Sequence, residues 1–196
     1  MSSSPWPAPV DDGAACHLRC GLAMPNIVLP TTAGREVSFR GHRQRVVVFF
    51  YPWTGRPGLA NPPDWDMVPG AHGSTPQAQD FANFYSAFVD MGVGIFGVST
   101  QSTDYQRELV DRLRLPFELV SDAQRKLQNA AKLPTFETGG VVYLKRLTLV
   151  LRDGQMERVF YPVHPPDAHA REVLAWLNSA VGSAAGAQWE TAGSRD

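Results

Sequence analysis

The chain is short of cysteine, of long apolar runs and of net charge, and each shortage excludes something. Only 2 of its 196 residues are cysteines, Cys16 and Cys20 in Ala15-Cys16-His17-Leu18-Arg19-Cys20. A disulfide scaffold is not expected, because a chain of this length buries a core of its own. The cysteine spacing is one residue longer than a Cys-x-x-Cys redox pair, and no second pair exists to complete a zinc site. The sequence therefore predicts neither metal nor cofactor. Cys16 and Cys20 are read as incidental thiols, with a redox or resolving pair as the sharper alternative. The 18 basic and 19 acidic residues nearly cancel, leaving a net charge of −1. Such a balance gives no field to draw nucleic acid or an acidic membrane. No stretch holds the ~20 apolar residues of a membrane-spanning helix. The opening Met1-Ser-Ser-Ser-Pro-Trp-Pro-Ala-Pro lacks the basic and apolar regions of a secretory signal. The expectation is a cytoplasmic chain with neither nucleic acid nor membrane as partner.

What the chain does contain is organised around one stretch. Val46-Val-Val-Phe-Phe-Tyr51-Pro52 is a continuous apolar run that reads as a buried central strand. The loop after it is rich in Pro, Gly and Trp, and it ends at Ser74. A periodic helix follows, with Phe81, Phe84, Tyr85, Phe88 and Val89 on one face and Gly92 at its end. Ser74 or Thr75 is the expected N-cap, with Pro76 in the first turn. A side chain delivered there meets unpaired backbone N–H groups and the positive end of the helix dipole. Chemistry that develops negative charge on a small nucleophile belongs at such a position.

The remaining chain alternates strands and helices. Residues 1–22 read as a flexible arm, 23–180 as one domain, and 181–196 as a disordered tail. A short hairpin flanks Thr31-Thr32-Ala33-Gly34. Strands follow at Val93–Val98 and Phe117–Val120, with a helix between them from Thr103 to Arg114. Asp122 caps a further helix that Pro134 stops. Val141–Leu151 and Met156–Tyr161 read as one hairpin around Arg152-Asp153-Gly154-Gln155, and Pro166-Asp167 opens a last helix. The pattern predicts an α/β sandwich of three layers, a central mixed sheet with helices on both faces.

Five stretches occur in an order that resembles the peroxiredoxins, the redoxin branch of the thioredoxin fold. They are Phe49-Phe-Tyr51-Pro52, Val68-Pro69-Gly70-Ala71, Gly73-Ser74-Thr75-Pro76-Gln77, Ile95-Phe-Gly-Val-Ser-Thr100 and Arg146-Leu-Thr-Leu-Val-Leu-Arg-Asp-Gly154. The resemblance runs from Met24 to Asn178. It implies a thioredoxin-like sandwich and thiol-dependent reduction of hydrogen peroxide and organic hydroperoxides. The partners it implies are a peroxide or small anion, a thiol reductant and a second copy in a homodimer. Ser74 stands where that family carries its peroxidatic cysteine. Arg146 matches the arginine that opens a later strand, and Thr75 adds to the donors. The family's Pro-x-x-x-Thr-x-x-Cys motif is shortened here, since Pro69 lies five residues before Ser74. Ala78, Gln79 and Asp80 offer no resolving cysteine.

A hydroxyl lacks the acidity of a thiol and has no sulfenic-acid chemistry, so peroxide reduction through residue 74 is expected only when that residue is cysteine. Two readings stand at this point. In one, Ser74 replaces a parent cysteine, and the parent is a one-cysteine peroxidase or uses Cys16 or Cys20. In the other, the serine is native, and the redoxin scaffold binds a small molecule or a protein through the retained pocket. Serine hydrolysis is disfavoured, because Gly73-Ser74-Thr75-Pro76 is not a Gly-x-Ser-x-Gly elbow and His72 is a neighbour in sequence only. His164 and His169 flank Pro165-Pro166 and do not share a helix face. Tyr51, Trp53 and Trp65 are candidates for a hydrophobic entrance.

Overall fold

The computed structural model describes residues 6–190, with side chains described for 6–180. In chain order the elements are β1 (Leu29–Pro30), β2 (Glu36–Val37), β3 (Val46–Phe50), α1 (Ser74–Asn83), α2 (Tyr85–Asp90), β4 (Gly94–Ser99), α3 (Thr103–Leu113), β5 (Glu118–Ser121), α4 (Lys126–Ala131), β6 (Thr135–Thr138), β7 (Val141–Leu144), β8 (Leu147–Arg152), β9 (Gln155–Phe160) and α5 (His169–Glu190). The main sheet runs β5-β4-β3-β8-β9, with β3 in the middle. β4 lies parallel to β3 and to β5, while β8 lies antiparallel to β3 and β9. This is the expected mixed sheet of a thioredoxin-like sandwich.

The apolar run of β3 splits by strand alternation between two core layers. Val46, Val48 and Phe50 pack with Leu127 of α4, Leu29 and Val37 of the first hairpin, and Leu149. Val47 and Phe49 pack on the other face with Phe81, Phe88, Leu109, Val173 and Leu177, which come from α1, α2, α3 and α5. The Phe49 and Phe81 rings stack 4.6 Å apart. A strand buried on both faces has no room for polar alternation, which explains its unbroken Val/Phe composition.

Several boundaries differ from the sequence expectation. The helix expected to run to Gly92 is two, broken at Phe84, yet Phe81 and Phe88 both remain fully buried. The apolar spacing thus outlasts the hydrogen-bond ladder. The expected strand Val141–Leu151 is also two, because Lys145 turns its N–H to Pro134 O at 2.8 Å. β7 instead pairs back onto β6 around Gly139 and Gly140, whose φ values are +57° and +74°. That hairpin's signal, a Gly-Gly pair between β-formers, was in the sequence. Ser102, not Thr103, caps α3, its side chain accepting from Tyr105 N.

The expected free arm is fastened from Trp6 onward, without forming a helix or a named strand. Ala15 and Leu18 are buried in the core, and Gly21 N donates to Met156 O at 2.8 Å. α5 carries a helical backbone to Glu190, past the point where the disordered tail was expected to begin. Residues 1–5 and 191–196 lie outside the described residues. Cys16 and Cys20 are exposed free thiols. Replacing both with serine is expected to leave Tm within about 2 °C, since exposed substitutions change stability by about 0.5 kcal/mol or less. A loss of several kcal/mol in thermal unfolding would show that they hold the fold.

The Asp153-Gly154 turn has φ of +51° and +74°, as a two-residue hairpin of the primed type requires. A Cβ on Gly154 would lie 2.1 Å from the backbone O of Arg40. Gly154→Ala is therefore expected to cost about 2–4 kcal/mol in chemical denaturation, combining left-handed strain with a backbone clash. A change under about 0.5 kcal/mol would mean that the two segments separate freely.

Candidate active site

β3 ends at Phe50, and a long loop then carries the chain to Gly73, where α1 begins. Gly73 has φ +101°, and a Cβ there would lie 2.3 Å from Pro166 Cγ. Glycine is thus the residue that can lead the chain into α1, and it is the N-cap in place of Ser74 or Thr75. Ser74 becomes the first helical residue, 3% exposed. Its N–H and that of Thr75 have no acceptor within the helix.

Arg146 meets Ser74 from the break between β7 and β8. Its Nη2 donates to Ser74 Oγ at 3.2 Å, to His72 O at 3.0 Å and to Gly70 O at 3.4 Å. Its Nη1 donates to Gln77 Oε1. Every one of these acceptors is neutral, and no carboxylate among the described residues pairs with the guanidinium. Burial pushes the Arg146 pKa down to about 9, which leaves it cationic at neutral pH. An enclosed cation without a counter-charge is costly, and its field favours an anion alongside. Because Ser74 Oγ accepts from Arg146, its own hydrogen is free to donate. The hydroxyl, the first-turn N–H groups and the buried charge together suit a small acceptor or anion.

Ser74 and Thr75 line a cavity of about 200 Å³. Trp53 and Trp65 wall it, their rings 5.5 Å apart, and Trp65 packs on Tyr143 at 5.0 Å. Tyr51 is not at this entrance. It is 1% exposed beneath the loop, and its hydroxyl accepts from Gln106 Nε2 at 3.3 Å. Burial pushes the phenol up to about 12. Pro69 lines a different cavity, on another side of Arg146. Cys16 and Cys20 line neither.

Serine activation by a base finds no partner here. The His72 ring pairs with Asp66 through Nε2 at 2.8 Å and stacks on Trp6 at 3.8 Å. The group that touches Ser74 Oγ is a cation, the reverse of what a hydrolase nucleophile needs.

Sequence reasoning passed over Gln77. It is fully buried, and its Nε2 has no partner among the described residues. Its place three residues after Ser74, on the same helix face, was the available signal. His169, read only as a weak candidate, is 1% exposed and lies between Thr148 Oγ1 at 2.9 Å and Glu172 at 2.8 Å. Burial lowers its pKa despite Glu172. A histidine whose pKa falls on folding binds more protons when unfolded, so stability rises with pH up to the unfolded value of about 6.5. Tm is expected to fall as pH drops below about 6.5, and less so in His169→Gln. Equal pH slopes for the two chains would assign the effect elsewhere.

The Redoxin family profile matches residues 20–174. Chloroplastic peroxiredoxin Q of rice (Oryza sativa subsp. japonica) is 28% identical over 160 residues, covering 81% of this chain. The chain spans 66% of that relative's length. A solved structure of the Xanthomonas campestris bacterioferritin comigratory protein, described for its alkyl peroxide reduction activity, aligns with a TM-score of 0.66 at 26% identity, over 83% of this chain and 99% of that one. Peroxidoxin BcpB of Mycobacterium tuberculosis aligns with a TM-score of 0.67 at 24% identity, over 83% of this chain and 98% of its own, and bears on the fold alone.

Proposed function

The chain belongs to the Redoxin family, as a peroxiredoxin-type protein of the thioredoxin fold, and from that premise we propose that it binds a small anion or a peroxide at Ser74 without reducing it. In this reading Ser74 occupies the position of the attacking cysteine in peroxide-reducing relatives. Thiol-dependent reduction of hydrogen peroxide or organic hydroperoxides would return only with cysteine at that position.

One observation carries the reading. Arg146 is buried at 4% exposure, its guanidinium has no carboxylate partner among the described residues, and it donates to Ser74 Oγ. A peroxidase needs that arrangement to hold a thiolate and polarise an O–O bond. With a hydroxyl in place, the donors and the charge persist, but no sulfur is available to accept the peroxide oxygen. The same charge then acts on an anion in that cavity through the Ser74 hydroxyl, since Ser74 and not Arg146 lines it. This supports a binding scaffold over a turnover enzyme.

The test is peroxide consumption by the chain with dithiothreitol as reductant. The expected rate is that of buffer with dithiothreitol alone. Rapid turnover would overturn the reading and direct attention to Cys16 and Cys20.

A further inference from the structure

A second cavity, of about 210 Å³, lies on another side of Arg146. Its walls are mainly apolar, with Val68, Pro69, Phe136 and Pro162 on the domain side and Pro9 and Val10 on the other. Those last two residues precede residue 20, where the region shared with the Redoxin family begins. This chain's own N-terminal segment therefore forms one wall of the pocket, with Val10 still 78% exposed.

The segment is anchored at both ends of the cavity. Trp6 stacks on His72, Gly70 N donates to Pro7 O at 3.2 Å, and Tyr161 Oη donates to Asp12 at 2.6 Å. Lys145 also pairs with Asp12. Asp12 and Lys145 line the cavity but are committed to each other, and the two donors hold the Asp12 carboxyl well below the usual carboxylate range. Arg146 is then the cation in the wall without an acidic partner. All four of its hydrogen bonds leave from the Nη atoms, so the Nε–H donates to nothing among the described residues.

We propose that this pocket binds a small monocarboxylate with a short, branched apolar body. The carboxylate answers the unpaired Arg146 charge, with Nε–H as a free donor. The apolar walls receive the alkyl part. The volume equals that of about seven waters at roughly 30 Å³ each, which suits a molecule of that many non-hydrogen atoms, such as isovalerate. The inference goes beyond the Ser74 site, since it concerns a separate cavity and a segment outside the family's shared region.

Calorimetric titration of the full chain with isovalerate, acetate and neutral isovaleramide tests it. Isovalerate is expected to bind at least tenfold more tightly than either of the others. The charge-neutral pair Asp12→Ala/Lys145→Ala, which frees the closing segment without leaving a second unpaired cation in the wall, is expected to weaken isovalerate about tenfold and leave acetate unchanged. Isovalerate binding no tighter than acetate would overturn the pocket while leaving an anion site at Ser74 standing. Isovaleramide binding as tightly as isovalerate would remove Arg146 from recognition and overturn it too. An Asp12→Ala/Lys145→Ala chain with unchanged isovalerate affinity would likewise overturn it, because the segment would then build no wall. Tight isovalerate binding, sensitive to Asp12→Ala/Lys145→Ala, with no acetate binding, would support this pocket and count against the Ser74 reading.

Discussion

Ser74→Cys is expected to turn a chain that leaves hydrogen peroxide untouched into one that consumes it with dithiothreitol. The substituted thiol would sit in the first turn of α1 with the Arg146 Nη2 donor at hydrogen-bond range, where Ser74 Oγ is now 3.2 Å away. Helix N-termini and nearby cations lower thiol pKa values from about 8.5 to between about 3.5 and 7.5. At a pKa of about 6 the thiolate share at pH 7 rises from about 3% to about 90%. The thiolate then attacks one peroxide oxygen, an S–O bond forms, the O–O bond breaks, and the other oxygen leaves as hydroxide. Two thiols of dithiothreitol reduce the resulting sulfenic acid to thiol and water. Helix residues Ala78, Gln79 and Asp80 supply no resolving thiol, and Cys16 and Cys20 do not line the Ser74 cavity, so the reductant is expected to act directly. A thiol titrating near 8.5, with no turnover, would show that the pocket does not activate residue 74.

Removing the guanidinium has the second large effect. In the Ser74→Cys background, Arg146→Leu is expected to raise the thiol pKa and to slow peroxide consumption by about 10²–10³, the usual cost of losing one preorganised donor to a developing anion. In the Ser74 chain the same change is expected to abolish anion binding at Ser74. The fold should survive it. Deletion leaves Gln77 Oε1 and the Gly70 and His72 carbonyls without their donor, at about 1–3 kcal/mol per unsatisfied group. Against this, it removes a buried charge that has no carboxylate partner, a relief of several kcal/mol. Denaturation should therefore shift by only about 2 kcal/mol or less. Unchanged activity in the double variant would mean that Arg146 is a structural residue.

Much of this arrangement was legible in the sequence because it rests on local rules. The unbroken Val/Phe run of β3 announces a strand buried on both sides, and both layers of the core divide its side chains. Ser74 is legible as a helix-start residue, although the cap itself is Gly73, since the approach of Pro166 is a tertiary fact no local rule contains. The break of Val141–Leu151 at Lys145 was hidden for a similar reason. The charged pair Lys145-Arg146 marks the place but not that the chain changes sheets there, and the Pro134 carbonyl that captures Lys145 N lies outside the run. Tyr51 was misjudged as an entrance residue because aromatic character fits a pocket wall and a buried layer equally well. The attachment of residues 6–22 was illegible from composition. It depends on Asp12, His17 and Gly21 finding partners more than a hundred residues away, at Tyr161, Ala131 and Met156.

Acetate titration of the isotope-labelled Ser74 chain, followed by amide and guanidinium NMR, tests the central claim most directly. Saturable shifts concentrated at the amides of Gly73, Ser74, Thr75 and Gln77 and at the Arg146 side chain are the predicted result, with the rest of α1 unmoved. Shifts scattered over surface lysines and arginines, with residues 73–77 and Arg146 silent, would contradict the claim that Ser74 and Arg146 form an anion site.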